Sequence, residues 1–383
     1  MLAIVNSRHD RQMSAESAGN GEGRSWRPLL LILVLLISIL LFEVVARLAL
    51  PLDARRTIYA KTRDVFTFHD EHICYDSELG FVLRPGIDYE LRNLEYSIRI
   101  STNSLGFRDD EESLNQPAIL SIGDSFAFGS GVSEGSTVSD CLESELGCRA
   151  LNAGVPQYGT LQEIRLFKRL VETGVAPDCL TFVFFYGGND LITTVNRTHS
   201  EDWFRPYVES HAGNCEIVDP TQKGFSLWRS HVSASSYPAL CQFSYAAYTV
   251  VEAWRRLTRG RDNELSMRQV GSADMLDGFA FIISEFARTC PVHTSKVVFV
   301  YVPTRKYFED PSYRERTDQE FVAITTILTA NFFEMVDLRG TLSAADYYKY
   351  DGHWKPAGHS RAAAALADYL ERTGKIKYLR SRH

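Results

Sequence analysis

Four short blocks of this chain carry residues that could do chemistry together, and three of them fall where an apolar run stops. The run 118–122 leads into Gly123-Asp124-Ser125-Phe126, 149–153 ends in Asn152-Ala153-Gly154, and 179–186 leads into Gly187-Gly188-Asn189-Asp190. The last block, Asp351-Gly352-His353-Trp354, stands just before a C-terminal helical pattern. A hydroxyl nucleophile, a base, a carboxylate to orient the base and donors for an oxyanion are what acyl transfer needs. A bare Gly-Asp-Ser is usually a turn. After a buried strand and before a helix, it sets Ser125 where the helix dipole favours developing negative charge. Asp351 and His353 lie two positions apart, so in an extended segment both side chains point the same way and the carboxylate can reach Nδ1. Asp346 or a backbone carbonyl is the alternative orienting group.

The neighbouring polar residues have plainer readings. His359, early in the final helix, is read as structural. Asp190 is read as fixing the loop that aims Asn189, and Asp124 as bonding nearby backbone. Tyr158 and Gln162 are structural by default, with substrate contact as the alternative.

These blocks need a framework to converge. From residue 118 onward, short apolar runs alternate with helical patterns, the signature of a parallel sheet covered by helices. Strands are expected at 118–122, 149–153, 179–186, 297–302 and 332–338. Thr160-Leu161-Gln162-Glu163 reads as a capping box ahead of Ile164, Phe167, Leu170 and Val171 at helical spacing. The last helix is expected over 356–373, opened by Pro356 and followed by Gly374. In such sheets ligands bind beyond the carboxyl ends of the strands, where Ser125, Gly154 and Asn189 fall. Roughly 110 residues separate the third strand from the fourth, far beyond an ordinary connection. This stretch holds Trp203, Phe204, Tyr207, Trp228 and an amphipathic pattern from Tyr245 to Leu257. It is read as an insertion, either a lid or substrate wall or a helical subdomain that packs the core.

The N-terminal part differs. Leu29 to Phe42 is apolar except for Ser38, and the run extends to Pro51, long enough to span a bilayer. Glu43 and Arg47 are spaced to pair on one helix face near the headgroups. A secretory signal peptide cleaved near Val44-Val45-Ala46 is the rival reading, but the run is long for that, which favours an uncleaved anchor. Arginines at 11, 24 and 27 on one side, and Arg55, Arg56, Lys61 and Arg63 on the other, leave the orientation open. Residues 52–115 read as short strands and turns, with alternation at Tyr96-Ser97-Ile98-Arg99-Ile100. The division expected is a tail at 1–26, an anchor at 27–50, a β-rich accessory segment at 52–115 and a catalytic domain at 116–375, with the insertion at about 191–295.

Charge and cysteines exclude several classes. A formal charge of −7 and the lack of a long basic run argue against nucleic acid. The seven cysteines show no CxxC pair and no Cys/His spacing suited to zinc. Cys215 with Cys241, or Cys141 with Cys148, are candidate bridges in an oxidising space. The order Ser, Asp, His would suit an α/β-hydrolase, but no Gly-x-Ser-x-Gly elbow occurs. Gly129-Ser130-Gly131 lacks the partners of a phosphate-binding loop.

The four ordered blocks resemble the SGNH/GDSL hydrolase family over about residues 118–370. The resemblance implies a three-layer α/β/α sandwich with a parallel five-stranded, flavodoxin-like sheet, here preceded by a transmembrane helix and a small β-rich segment. It implies Ser125 as nucleophile, His353 as base and Asp351 as its orienting carboxylate. The Ser125 and Gly154 N–H groups with the Asn189 side chain would form the oxyanion hole, and no cofactor or metal is required. Membrane-anchored members are similar at Leu79-Gly80-Phe81, Asn103-Ser104-Leu105-Gly106-Phe107-Arg108 and 152–160, which implies an extracytoplasmic catalytic domain. The family's usual spacing is Asp-x-x-His. The Asp-x-His-Trp found here is similar to the alginate O-acetyltransferase branch. The expected activity is an esterase acting on acyl esters, acetyl foremost, with acetylated envelope polysaccharide as the favoured substrate. The alternatives are an O-acyltransferase using the same residues, or a non-catalytic glycan-binding protein.

Overall fold

The computed structural model describes residues 26–63, 72–176, 179–195, 204–211, 214–235, 239–254, 257 and 272–380. The N-terminal tail before Trp26, and Trp203, lie outside these residues.

Helix α1 (Arg27–Ala49) follows from the apolar run: its 23 residues are exposed or half-exposed throughout and none is buried. At 1.5 Å per residue it is about 35 Å long, enough to cross a bilayer core. Glu43 and Arg47 pair on it at 2.6 Å, as their spacing predicts. Only Leu50 and Pro51 separate it from α2 (Leu52–Arg63). Two antiparallel hairpins come next: β1 (Ile73–Asp76) with β2 (Gly80–Leu83), and β3 (Asp88–Arg92) with β4 (Ser97–Ser101).

The sandwich begins at β5 (Ile119–Gly123) and continues through α3 (Ser125–Phe128), α4 (Val138–Leu146), β6 (Ala150–Asn152), α5 (Thr160–Glu172), β7 (Leu180–Tyr186) and α6 (Asp190–Thr194). Within the long insertion lie the hairpin β8 (Tyr207–His211) and β9 (Asn214–Val218), α7 (Gln222–Ser235), a helix α8 over 245–254, and α9 (Ser272–Thr289). The chain closes with β10 (Val297–Val302), α10 (Arg305–Glu309), α11 (Pro311–Ala330), β11 (Glu334–Asp337), α12 (Pro356–Arg372) and α13 (Lys377–Arg380).

The five expected strands form one parallel sheet in the order β11-β10-β7-β5-β6. Their alternation builds two cores. Leu120, Ile122, Val183, Phe185, Phe299 and Tyr301 face α5, α9 and α11; Ile119, Phe182, Phe184, Val298 and Val300 face α4 and α12. Both faces are covered, so these strands read as continuous apolar runs rather than alternating ones. Ile73, Phe81, Ile98 and Ile100 of the two hairpins join the first core.

Four expectations change in detail. Residues 52–63, expected to belong to a segment of short strands and turns, form the helix α2 instead. The start of α5 is capped at Gly159, not Thr160: Gln162 Oε1 accepts from the Gly159 N–H at 3.3 Å, while the Thr160 hydroxyl is buried without a hydrogen bond among the described residues. A glycine is needed there, since a Cβ would lie 2.2 Å from Thr193 Oγ1. No disulfide forms among the described residues, so neither candidate bridge is present. In the insertion, Phe204 is buried, Tyr207 opens β8, and Phe279, Ile282, Ile283 and Phe286 of α9 are core residues. The amphipathic pattern from Tyr245 is helical to Trp254, with residues 255 and 256 outside the described set. Its start is held by the membrane-side helix: Glu43 accepts from Ser244 Oγ and from the Ala246 N–H, both at 2.9 Å, and Arg47 donates to the Phe243 carbonyl at 2.6 Å.

Candidate active site

Ser125 stands at the carboxyl end of β5, beside β7, where the strand order of the sheet reverses. This is the place in an open α/β sheet where a crevice must form. Asp124 precedes it as N-cap and accepts from the Phe126 N–H at 2.9 Å. The helix that follows is only four residues long, so its dipole contributes less than the sequence pattern suggested. Close packing fixes the turn. A Cβ on Gly123 would lie 2.7 Å from the Phe184 Cβ, and one on Gly154 would lie 2.2 Å from the Phe128 N.

His353 arrives from the far end of the chain. Its Nε2 is 2.8 Å from Ser125 Oγ, and its Nδ1 is 2.5 Å from Asp351 Oδ1, which also accepts from the His353 N–H at 3.1 Å. The single residue between them is Gly352 at φ +88°, the left-handed turn that lets the Asp351 carboxylate fold back onto the ring two positions on. Asp346 is occupied elsewhere, capping the Ser343 N–H and pairing with Arg361 at 2.9 Å. Phe126 and Trp354 pack around the imidazole and one another, leaving 27 % of the His353 side chain exposed.

Burial works against the imidazolium, but the hydrogen bond and charge of Asp351, with Asp124 behind them, outweigh it and raise the His353 pKa above its ordinary value. Burial works equally against the Asp351 charge, yet His353 and the Tyr96 hydroxyl hold that carboxyl below its usual range. Such a pair is suited to accept a proton from Ser125 and return it to a leaving group.

The oxyanion candidates are placed less uniformly. Asn189 is the N-cap residue of α6, and its Oδ1 is buried without a hydrogen-bond partner among the described residues. Asp190 Oδ2 accepts from the Tyr186 N–H at 2.7 Å and so closes the loop carrying Asn189. The Gly154 N–H donates to Asn152 Oδ1 at 3.1 Å, so it must exchange that bond to meet an oxyanion. His359 is fully buried, edge-on to Trp354, and neither ring nitrogen hydrogen-bonds among the described residues. Burial pushes its pKa down to about 3, which keeps it neutral. Tyr158 and Gln162 donate to the Phe81 and Leu79 carbonyls and so hold the first hairpin.

Several residues that support the site carry no chemical motif. Buried Arg108 donates to the Gly129 and Val132 carbonyls at 2.6 Å, bracketing the loop after Ser125. Asp109 Oδ2 accepts from the Asn152 N–H at 2.8 Å. From the tip of the β3–β4 hairpin, Tyr96 donates to Asp351 Oδ2 at 2.9 Å. Glu95 accepts from the Lys349, Tyr350 and Asp351 N–H groups at 2.7, 2.9 and 2.9 Å. The resemblance at Asn103–Arg108 had marked part of this region, but nothing marked Glu95 or Tyr96.

Part of the chain is similar to a known family. Residues 263–383 match the family described as the SGNH hydrolase-like domain of the acetyltransferase AlgX. The matched stretch holds Asp351 and His353, while Ser125 lies upstream of it, just beyond the carboxyl end of β5. No curated protein matches the sequence. Among solved structures, an acetylxylan esterase from Geobacillus stearothermophilus is similar at 16% identity and TM-score 0.35, over 66% of this chain and 94% of that one. A G-D-S-L family lipolytic protein from Veillonella parvula is similar at 12% identity and TM-score 0.33, over 66% and 98%.

Proposed function

We propose that this protein is a membrane-anchored serine esterase that forms an acyl-enzyme at Ser125. The observation that carries the reading is the continuous hydrogen-bonded line from Ser125 Oγ through His353 to Asp351. Ser125 Oγ attacks the carbonyl carbon of an acyl ester and His353 Nε2 takes its proton. The imidazolium, balanced by Asp351, then protonates the departing alkoxide as the ester C–O bond breaks. Water activated by His353 cleaves the acyl-enzyme, releasing the acid and restoring the serine. The Ser125 N–H, the Gly154 N–H freed from Asn152, and the Asn189 side chain are the donors for the tetrahedral oxyanion. Acetyl esters on an envelope polysaccharide are the proposed substrate, met by a catalytic domain on the extracytoplasmic side.

The match of residues 263–383 to an acetyltransferase domain favours a second reading, in which a sugar hydroxyl instead of water receives the acyl group. The first test is labelling by a fluorophosphonate probe: the wild type should label, and Ser125→Ala should not. An unlabelled wild type would count against both readings. Supplying an acetyl donor with and without glycan then separates them, since hydrolysis yields free acid in both cases and transfer yields acylated glycan.

A further inference from the structure

We infer that Glu95 and Tyr96, at the tip of the β3–β4 hairpin, are positioning residues for the reaction at Ser125. Glu95 fixes the backbone that carries Asp351, and Tyr96 aims its carboxylate. The inference rests on the reading of Ser125, His353 and Asp351 given above.

The loop 348–353 has little regular structure to define it. Its own closure is slight: the Tyr348 N–H donates to the His353 carbonyl at 2.8 Å and the Gly352 N–H to the Tyr348 carbonyl at 3.2 Å. Among the described residues the three successive N–H groups of Lys349, Tyr350 and Asp351 have no other acceptor, and one carboxylate satisfies all three. Hydrogen bonds to an ionised acceptor are the strong ones. Glu95 therefore determines where the Cα of Asp351 stands, which neither the sheet nor α12 does directly.

Tyr96 acts on the side chain. A carboxylate can rotate to present either oxygen, and its two oxygens have separate partners here. Oδ1 faces the Nδ1 and the N–H of His353, while Oδ2 takes the Tyr96 hydroxyl and, at 3.5 Å, the Asn93 amide. The hairpin tip is itself set by Asn93, whose Oδ1 accepts from the Glu95 and Tyr96 N–H groups at 2.8 and 2.9 Å. The Tyr96 ring also packs at 4.9 Å, centroid to centroid, against Tyr348, whose hydroxyl donates to the Gly131 carbonyl in the loop after Ser125. One hairpin thus touches both the loop bearing the base and a side chain that anchors that loop to the nucleophile's side.

The test uses the full chain in detergent or nanodiscs, comparing wild type, Glu95→Gln, Tyr96→Phe and, as control, Glu90→Gln on the same hairpin. Glu90 pairs with Arg92 and Ser97 on the exposed face. With p-nitrophenyl acetate, Glu95→Gln should lower kcat about tenfold to a hundredfold with KM nearly constant, since displacing a reacting group by an ångström has effects of that order. Tyr96→Phe should lower kcat by a few-fold. It should also move the acid limb of the pH profile upward, because an Asp351 carboxylate with one donor fewer holds the imidazolium more strongly. Asp351 and Asp124 are the charged groups that shift His353, and Glu95, Tyr96 and Asn93 are the groups that meet Asp351 or its backbone.

A second measurement needs no turnover. In ¹⁵N-histidine-labelled protein, the proton between His353 Nδ1 and Asp351 should resonate at low field, vanish in Asp351→Asn and weaken in Glu95→Gln. Wild-type kcat and an unchanged proton signal in both hairpin variants would overturn the inference. Loss of kcat with the signal intact, or loss that only follows a fall in Tm, would overturn it equally. Should Ser125→Ala keep activity, the catalytic reading fails, and the proton signal alone decides whether the hairpin positions Asp351.

Discussion

The two halves of the candidate site are held by different kinds of structure. Ser125 is placed by backbone: a central strand buried on both faces, a turn closed by packing against Phe184 and Ala127, and a glycine opposite. His353 is placed by polar side chains reaching in from elsewhere, with Gly352 in open space where a Cβ would meet nothing within 4 Å. The nucleophile's position follows from the fold, whereas the base's position depends on a few contacts that individual substitutions can remove.

Removing either reacting group should have the largest effect. Ser125→Ala or His353→Ala should cut ester turnover on the order of 10⁴-fold or more with circular dichroism unchanged; comparable residual activity in both would support a single catalytic unit. Next comes Asn189→Ala, expected to cost about 10²–10³ in kcat as one oxyanion donor is lost. An unchanged kcat would remove Asn189 from the hole and leave the backbone donors alone.

Paired glycine substitutions address the contrast between the halves. Gly154→Ala should lower stability by about 3 kcal/mol, because its Cβ would press on the backbone of Phe128 and Ala127. Gly352→Ala should cost only about 1 kcal/mol of left-handed strain. Denaturant melts of both variants check this, and equal losses would erase the distinction.

The smallest effect concerns pH. The base works only when neutral, and its folded-state pKa is raised, so the acid limb of kcat/KM should lie above the ordinary histidine value of 6.5. The same sign applies to folding: stability from the His353–Asp351 pair is full below the unfolded-state histidine pKa and declines as pH rises through the raised one.

The division also accounts for what the sequence made legible. All five sheet strands were readable because burial on both faces writes an unbroken apolar run, and three of the four reactive blocks followed at the ends of those runs. The nearness of Asp351 to His353 was legible from their spacing, but on the assumption of an extended segment; the structure reaches it through a left-handed turn at Gly352. Glu95 and Tyr96 were not identified. Alternation showed the strand that begins near Tyr96, but a local pattern carries no information about a loop some 250 positions away. Arg108 was noticed only as part of a resembling block, because a buried guanidinium that meets backbone carbonyls has no partner motif to announce it. The start of α5 was misread because Thr160-Leu161-Gln162-Glu163 matches the capping-box pattern, while packing against Thr193 required a glycine one position earlier.

The two-residue join between α1 and α2 bears on how such an enzyme would meet its substrate. Asp53, at the start of α2, pairs with Lys349 at 3.0 Å and accepts from the Tyr350 hydroxyl at 2.9 Å, so the loop before Asp351 is coupled to the chain just past the anchor. Were α1 set in a bilayer, these contacts would hold the site at a fixed height, within reach of a thin layer along the surface. Its effective substrate concentration would then be set by what lies within that layer and hardly by what is dissolved in the volume beyond.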